Sequence, residues 1–218
     1  PLSVSDLRTD SAMHDRYLEA ARQLGFRVTN DFNGADQEGV GLYQVTQKDG
    51  RRCSAARAYL LPHMGKRPNL SVFTGAHTQR ILFEGRRAVG VAVRLNGVEH
   101  FVRARREVIL SAGAFQSPQL LMLSGIGDAA ELTAHDIPIR VALPGVGKNL
   151  QDHIAAGIQV RSPNAVSYGI SWRAAPRLAA AAVEYLLRRR GFLAGSMIEG
   201  GGFMRTVAGL DRSDIQCT

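Results

Sequence analysis

Few stretches of this chain have residue types and spacing suited to chemistry. The most promising is Val108 to Gly127, VILSAGAFQSPQLLMLSGIG. Val108, Ile109 and Leu110 form a short apolar run of the kind that makes a buried strand. Ala112, Gly113 and Ala114 then carry almost no side chain, so something can lie close against that backbone. Ser117 is placed to cap the next helix. Pro118 suits its first position, because the N–H it lacks would be unpaired there anyway. Leu120, Leu121 and Leu123 supply the buried face, and Gly125 and Gly127 suit a left-handed stop. A strand handing over to a helix through such a turn exposes backbone N–H groups where a phosphate or flavin edge could dock. Many ordinary strand–helix units share this outline, so the outline alone selects no ligand.

Other candidates carry less. Cys53 and Cys217 lie far apart and form no CxxC pair, so neither a metal site nor a disulfide framework is indicated. Reduced thiols in a cytoplasmic protein are the plain reading. Cys53 has no neighbouring His to activate it as a nucleophile. His63 follows Pro62 beyond a short helix and reads as a surface residue. Gly39-Val40-Gly41 begins like a dinucleotide fingerprint, but Gln44 stands where the third Gly belongs and no strand precedes it. Gly145-Val146-Gly147-Lys148 lacks the first Gly and the closing Ser/Thr of a Walker loop. Asp152 and His153 are adjacent, and adjacent side chains rarely face each other, so His153 reads as structural. The run Glu199 to Phe203 reads as a glycine-rich strand that permits close backbone approach, not as a phosphate loop.

The elements that must position the Val108–Gly127 turn belong to a chain of ordinary globular composition. Hydrophobic residues make up 45% of the 218 and charged residues 21%, which allows a sizeable core in one or two domains. No apolar run approaches the roughly 20 residues of a membrane helix. The opening PLSVSDLRTD lacks the basic start and apolar core of a signal peptide. Lysine and arginine outnumber aspartate and glutamate 27 to 19, a formal +8. Such a balance suits nucleic acid or an anionic membrane surface. The positive residues are scattered in short groups without interleaved aromatic stacking platforms, which argues against nucleic acid.

In chain order, Asp10 or Ser11 caps a helix ending near Gly25, with Met13, Tyr17, Ala21 and Leu24 on its apolar face. Leu42 to Thr46 alternates like a strand. Ser54 caps a short helix over Ala55–Leu61, stopped by Pro62. Four strands are expected at 70–74, 78–83, 88–95 and 98–105, with Val89, Val91, Val93 and Leu95 on one face. Asn96-Gly97 is the hairpin turn between the last two. Ala129 to His135 reads as a short helix and Ile137 to Val141 as extended. Pro176 to Arg190 reads as a packing helix with Val183, Leu186 and Leu187 inward. An amphipathic membrane contact is the alternative for it.

Beyond these physical readings, several segments resemble one family. SAGAFQSPQLLMLSGIG is closely similar to the second signature of the glucose-methanol-choline (GMC) flavin oxidoreductases. KDGRRCSAARAYLLP resembles the family's DGxRxSxxxAYL form, and NLSVFTGAHTQRILFEGRRAVGVAV and LPGVGKNLQDH resemble it too. The resemblance implies FAD as cofactor, with Ala112 and Gly113 against it and the Thr78 backbone facing its adenine. Family members often carry Val where Thr78 stands.

The implied fold is mixed α/β and α+β. It comprises part of a Rossmann-like FAD-binding domain with a β-meander (68–143), flanked by substrate-domain parts with an antiparallel sheet (1–67 and 144–218). The implied reaction is oxidation of an alcohol by hydride transfer to flavin, in the manner of choline dehydrogenase-like members. A family oxidase or lyase is the alternative, as is a non-catalytic basic interaction domain. The family's N-terminal GxGxxG and C-terminal catalytic His regions have no counterpart here. The resemblance therefore implies an internal fragment with no catalytic residue of its own, inactive alone and retaining no flavin. Its partner is a small-molecule alcohol. Its implied location is cytoplasmic, with peripheral membrane association as the alternative.

Overall fold

The computed structural model describes residues 1–158, 172–196 and 198–218. Its strands are, in order, β1 (Gly39–Leu42), β2 (Gln47–Lys48), β3 (Arg51–Arg52), β4 (His77–Glu84), β5 (Arg87–Leu95), β6 (Val98–Arg103), β7 (Ile126–Gly127), β8 (Val141–Ala142), β9 (Gly200–Met204) and β10 (Ile215–Cys217). The α-helices are α1 (Ala12–Gln23), α2 (Gly113–Leu123), α3 (Ala129–Ala134) and α4 (Ala175–Arg188). By contact, Pro1–Leu70 joins Gln159–Thr218 in one compact unit, and Ser71–Ile158 forms a second.

In the second unit, β4, β5 and β6 form the expected antiparallel meander. Asn96 (φ 50°) and Gly97 (φ 81°) make its tight turn, both in the left-handed conformation that a two-residue hairpin loop requires. The strand alternation places Val89, Val91, Val93 and Leu95 on one face as expected, with Val89 buried and the other three half-buried, while the deepest residue, Ala92 at 0% exposure, lies in the other row. Ala92 pairs with Arg80 on one side and Phe101 on the other. The Arg80 guanidinium stands 6.0 Å from the Phe101 ring centre, so two large neighbours close over the small residue between them.

Two expected strands do not form. Among the described residues, 70–74 and the run Val108–Leu110 have no ladder partner, and Ile109 is 78% exposed. A strand needs a second strand to receive its hydrogen bonds, and an apolar run cannot supply one. Helix α2 also differs from expectation. It begins at Gly113 and carries Pro118 inside, where the ring cannot donate to the carbonyl four residues back. Ser117 does not cap it. Its hydroxyl instead reaches backward and accepts the N–H of Ala112 at 3.0 Å.

At the other end Gly125 is left-handed (φ 83°), and an added Cβ would lie 2.4 Å from the Pro138 carbonyl oxygen. Gly127, expected as part of the stop, instead sits in β7, which pairs in parallel with β8. Asp128 caps α3 by accepting the N–H groups of Ala130 and Glu131. The helix buries Leu132 to 1% exposure.

In the first unit, β9 pairs antiparallel with β1 and β10. The strand expected at Leu42–Thr46 lies earlier, at Gly39–Leu42. The glycines explain the shift, because a Cβ at Gly41 would stand 2.0 Å from the Thr29 carbonyl oxygen. Only glycine lets the chain pass there. Phe32 fills the space beside this sheet, 5.1 Å from Tyr43 and 5.4 Å from Phe203 between ring centres. The short helix after Ser54 forms as a single wide turn over Ala56–Leu60, with Leu61 N–H donating to the Ala56 carbonyl at 2.8 Å.

Helix α1 is capped by Ser11 and buries only Ala21 of its apolar stripe. On α4, Val183, Leu186 and Leu187 are 56%, 66% and 78% exposed rather than inward. Helical spacing identifies an apolar face but not what covers it. Among the described residues no helix is long and apolar enough to cross a membrane.

Candidate functional site

The turn at Ala112–Gly113 is built as an open ledge. Gly113 has φ 88°, a conformation that side-chain-bearing residues rarely adopt, and a Cβ placed there would meet nothing within 4 Å. Glycine is thus required by the backbone conformation, and the space above it is free. Ala112 has φ −89° and ψ 7°, accessible to any residue, and it is exposed. Residues 112–116 are all exposed. The helix behind them leaves its first N–H groups without intrahelical partners, which favours a negatively charged group at this end. Ser117 removes one of the nearby donors, the Ala112 N–H, from that set.

Thr78 lies on β4, half-buried, opposite Val93 and just before a β-bulge that precedes Arg80. Among the described residues β4 pairs only with β5, so its other edge carries main-chain groups outside the ladder. The two elements holding Thr78 and Ala112–Gly113 are packed together in one unit. A buried hydroxyl joins them. Ser124, at the end of α2, accepts the Ile81 N–H of β4 at 2.8 Å and donates to the Leu120 carbonyl at 2.6 Å. The sequence alone offers no signal for this link, since its partner is a backbone group 43 residues away. On the far side of α2, Ala114, Phe115, Pro118, Met122 and Leu150 line a largely apolar groove that also takes in Lys148. The Lys148 ammonium donates to Glu131 at 2.7 Å, which raises its pKa above the ordinary lysine value.

The other sequence candidates fall elsewhere. Cys53 is buried and Cys217 exposed, both as free thiols. The Asp152 carboxylate accepts the backbone N–H of His153 at 2.8 Å. Gly39–Gly41 and Gly200–Gly202 are paired strands. One titratable pair invisible to local spacing is His14–Glu199, at 2.7 Å and partly buried. Near it, burial pushes the Tyr17 hydroxyl pKa up, with smaller contributions from Cys217 and Tyr43. Among the described residues no group of three or more His, Cys, Asp or Glu side chains is placed to hold a metal ion.

Comparison with known proteins is specific: residues 1–155 match the GMC oxidoreductase family model, and the chain belongs to that family. It is 42% identical over 217 residues to an alcohol dehydrogenase [acceptor] of Pseudomonas putida, covering 99% of this chain and 39% of that protein. It is 44% identical over 216 residues to the mitochondrial choline dehydrogenase of Homo sapiens, covering 99% of this chain and 36% of that one. Among solved structures it resembles an FAD-dependent oxidoreductase from Chaetomium thermophilum (TM-score 0.78, 26% identity), over 94% of this chain and 36% of the other. The chain therefore spans well under half the length of these relatives.

Proposed function

We propose that this chain is part of an FAD-dependent oxidoreductase that oxidises a small alcohol, and that its Ser71–Ile158 unit contributes to the flavin site. The observation that carries the reading is the ledge at Ala112–Gly113: exposed backbone, a left-handed glycine, open space above it and a helix N-terminus behind. A flat, phosphate-bearing cofactor fits such a place. FAD, when bound, accepts the hydride released from the alcohol carbon.

The chain's own residues have a binding role in this reading. Ala112 and Gly113 admit the cofactor against the main chain. Ser117 holds the Ala112 N–H and so fixes the turn. The backbone at Thr78 faces the adenine, which tolerates Thr in place of Val because no side-chain contact is needed. No residue of this chain is assigned as the acceptor of the alcohol proton. The first unit, with its glycine-rich β1–β9–β10 sheet, takes the substrate-domain role. The proposed location is cytoplasmic.

The test is Ala112→Leu. Replacing Gly113 by valine mixes two effects, because any side chain at φ 88° strains the backbone as well as filling the space. Ala112 carries no such strain. Leucine there should lower FAD affinity about tenfold or more, the scale of a steric conflict of 1–3 kcal/mol, while far-UV circular dichroism stays unchanged. Flavin content is read by visible absorbance after removal of free cofactor from the intact oxidoreductase of which this chain is part, wild type against variant. Undiminished flavin content in Ala112→Leu would overturn the assignment.

A further inference from the structure

We infer that a cavity of about 750 Å³ in the first unit binds a small polyanion, a molecule carrying a diphosphate or comparably adjacent negative charges. The cavity lies among the β2–β3 hairpin, the wide turn at Ala56–Leu60 and the residue that ends α4. Lys48, Arg51, Arg57 and Arg189 line it together with His63. The carboxylate among its lining residues is Asp49, and that group lies 3.8 Å from Arg8.

Within the lining, Lys48, Arg51, Arg57 and Arg189 stand against Asp49, and that carboxylate already pairs with Arg8. Among the described residues no carboxylate pairs with Lys48, Arg51, Arg57 or Arg189. Four cations brought around one concave space repel one another, and the repulsion is relieved by a ligand of opposite sign. A single monoanion leaves most of that charge unmatched, whereas a diphosphate neutralises it. The volume is that of a small-molecule site and far exceeds one phosphate. Arginine suits such a ligand because its planar fork can bond two oxygens at once.

The walls are also fixed rather than loosely draped. The hairpin tip is Asp49 (φ 52°) and Gly50 (φ 68°), and a Cβ on Gly50 would stand 2.2 Å from the Arg189 carbonyl oxygen. The hairpin therefore closes onto the end of α4 through a glycine. Arg189 itself is left-handed (φ 54°), and its guanidinium lies 4.9 Å from the Tyr185 ring centre. Ser54 accepts the Arg57 N–H at 3.2 Å, which orients the wide turn.

Inorganic pyrophosphate is the probe, titrated calorimetrically into the full 218-residue chain, with orthophosphate as the monophosphate comparison. The site predicts one saturable pyrophosphate event, tighter than orthophosphate, that weakens as salt is raised from about 0.05 to 0.2 M. Arg51→Gln and Arg57→Gln should each weaken it about tenfold, in the range of one lost charge-assisted contact. Arg22→Gln, whose guanidinium pairs with Glu19 on α1, should leave it unchanged. Arg51 and Arg57 are both exposed, so their loss spares the core, and Lys48→Gln supplies an independent variant. The inference is overturned by the absence of saturable binding, by orthophosphate binding as tightly as pyrophosphate, or by equal weakening in the Arg22→Gln control.

Discussion

Replacing Ser124 by alanine should loosen the join between helix α2 and strand β4 on which the candidate flavin ledge depends. Ser124 is 9% exposed and Ile81 8%, so both partners of the 2.8 Å hydrogen bond are out of water. Alanine removes the acceptor and leaves the Ile81 N–H buried and unpaired. Such a loss costs about 1–3 kcal/mol, because the desolvation penalty of the orphaned group is paid in full. At about 1.4 kcal/mol per factor of ten, the folded-to-unfolded ratio drops by roughly 5- to 150-fold.

Urea unfolding followed by circular dichroism reads this directly. For a slope of about 2 kcal/mol/M, a 2 kcal/mol loss lowers the midpoint by about 1 M with the slope unchanged. Amide exchange at Ile81 should accelerate in parallel. Thr133→Ala is the internal control: its hydroxyl makes the same bond back to a carbonyl four residues earlier (Ala129, 2.8 Å) but joins no second element. It should shift stability by no more than about 0.5 kcal/mol. An unchanged midpoint and unchanged Ile81 exchange in Ser124→Ala would refute the reasoning.

Three further outcomes are expected. Gly41→Ala drives a Cβ to 2.0 Å from the Thr29 carbonyl oxygen, a backbone atom that cannot swing aside, and should destabilise the first unit by about 1–3 kcal/mol or more. Wild-type stability in urea would contradict the packing described for β1. Asp128→Ala removes the acceptor of two N–H groups at the start of α3 and should cost about 0.5–2 kcal/mol, with Asp128→Asn recovering most of it. The Asp214 carboxyl accepts the Thr206 N–H and hydroxyl, which holds its pKa below the usual 3.8. A depressed folded pKa stabilises above the unfolded value, so its contribution is complete above about pH 4 and is lost as pH falls through the folded pKa. NMR titration of Asp214 should show a midpoint under 3.8, and Thr206→Val should move it upward.

The sequence by itself determined features whose causes are local. Asn96-Gly97 dictates a turn because both residues accept left-handed dihedrals, and the flanking alternation dictates the strands on either side. Asp10-Ser11 announces the start of a helix, which the structure caps with Ser11, and the side-chain-poor SAGA stretch announces a ledge. The family was legible in those same letters. What depended on distant partners was decided only by tertiary structure. Val108–Leu110 has the composition of a strand but no second strand to pair with among the described residues, so it forms none. Ser117 and Pro118 look like a helix start, yet the helix begins at Gly113 because the left-handed glycine sets its entry and the Ser117 hydroxyl turns back to Ala112. The burial of Ala92 depends on which residues flank it across two strands, and the Ser124–Ile81 bond on a backbone group far away in sequence. The cavity of the first unit has the same origin in part: Lys48, Arg51 and Arg57 are close in sequence, but Arg189 joins them only because the hairpin tip closes on the end of a helix.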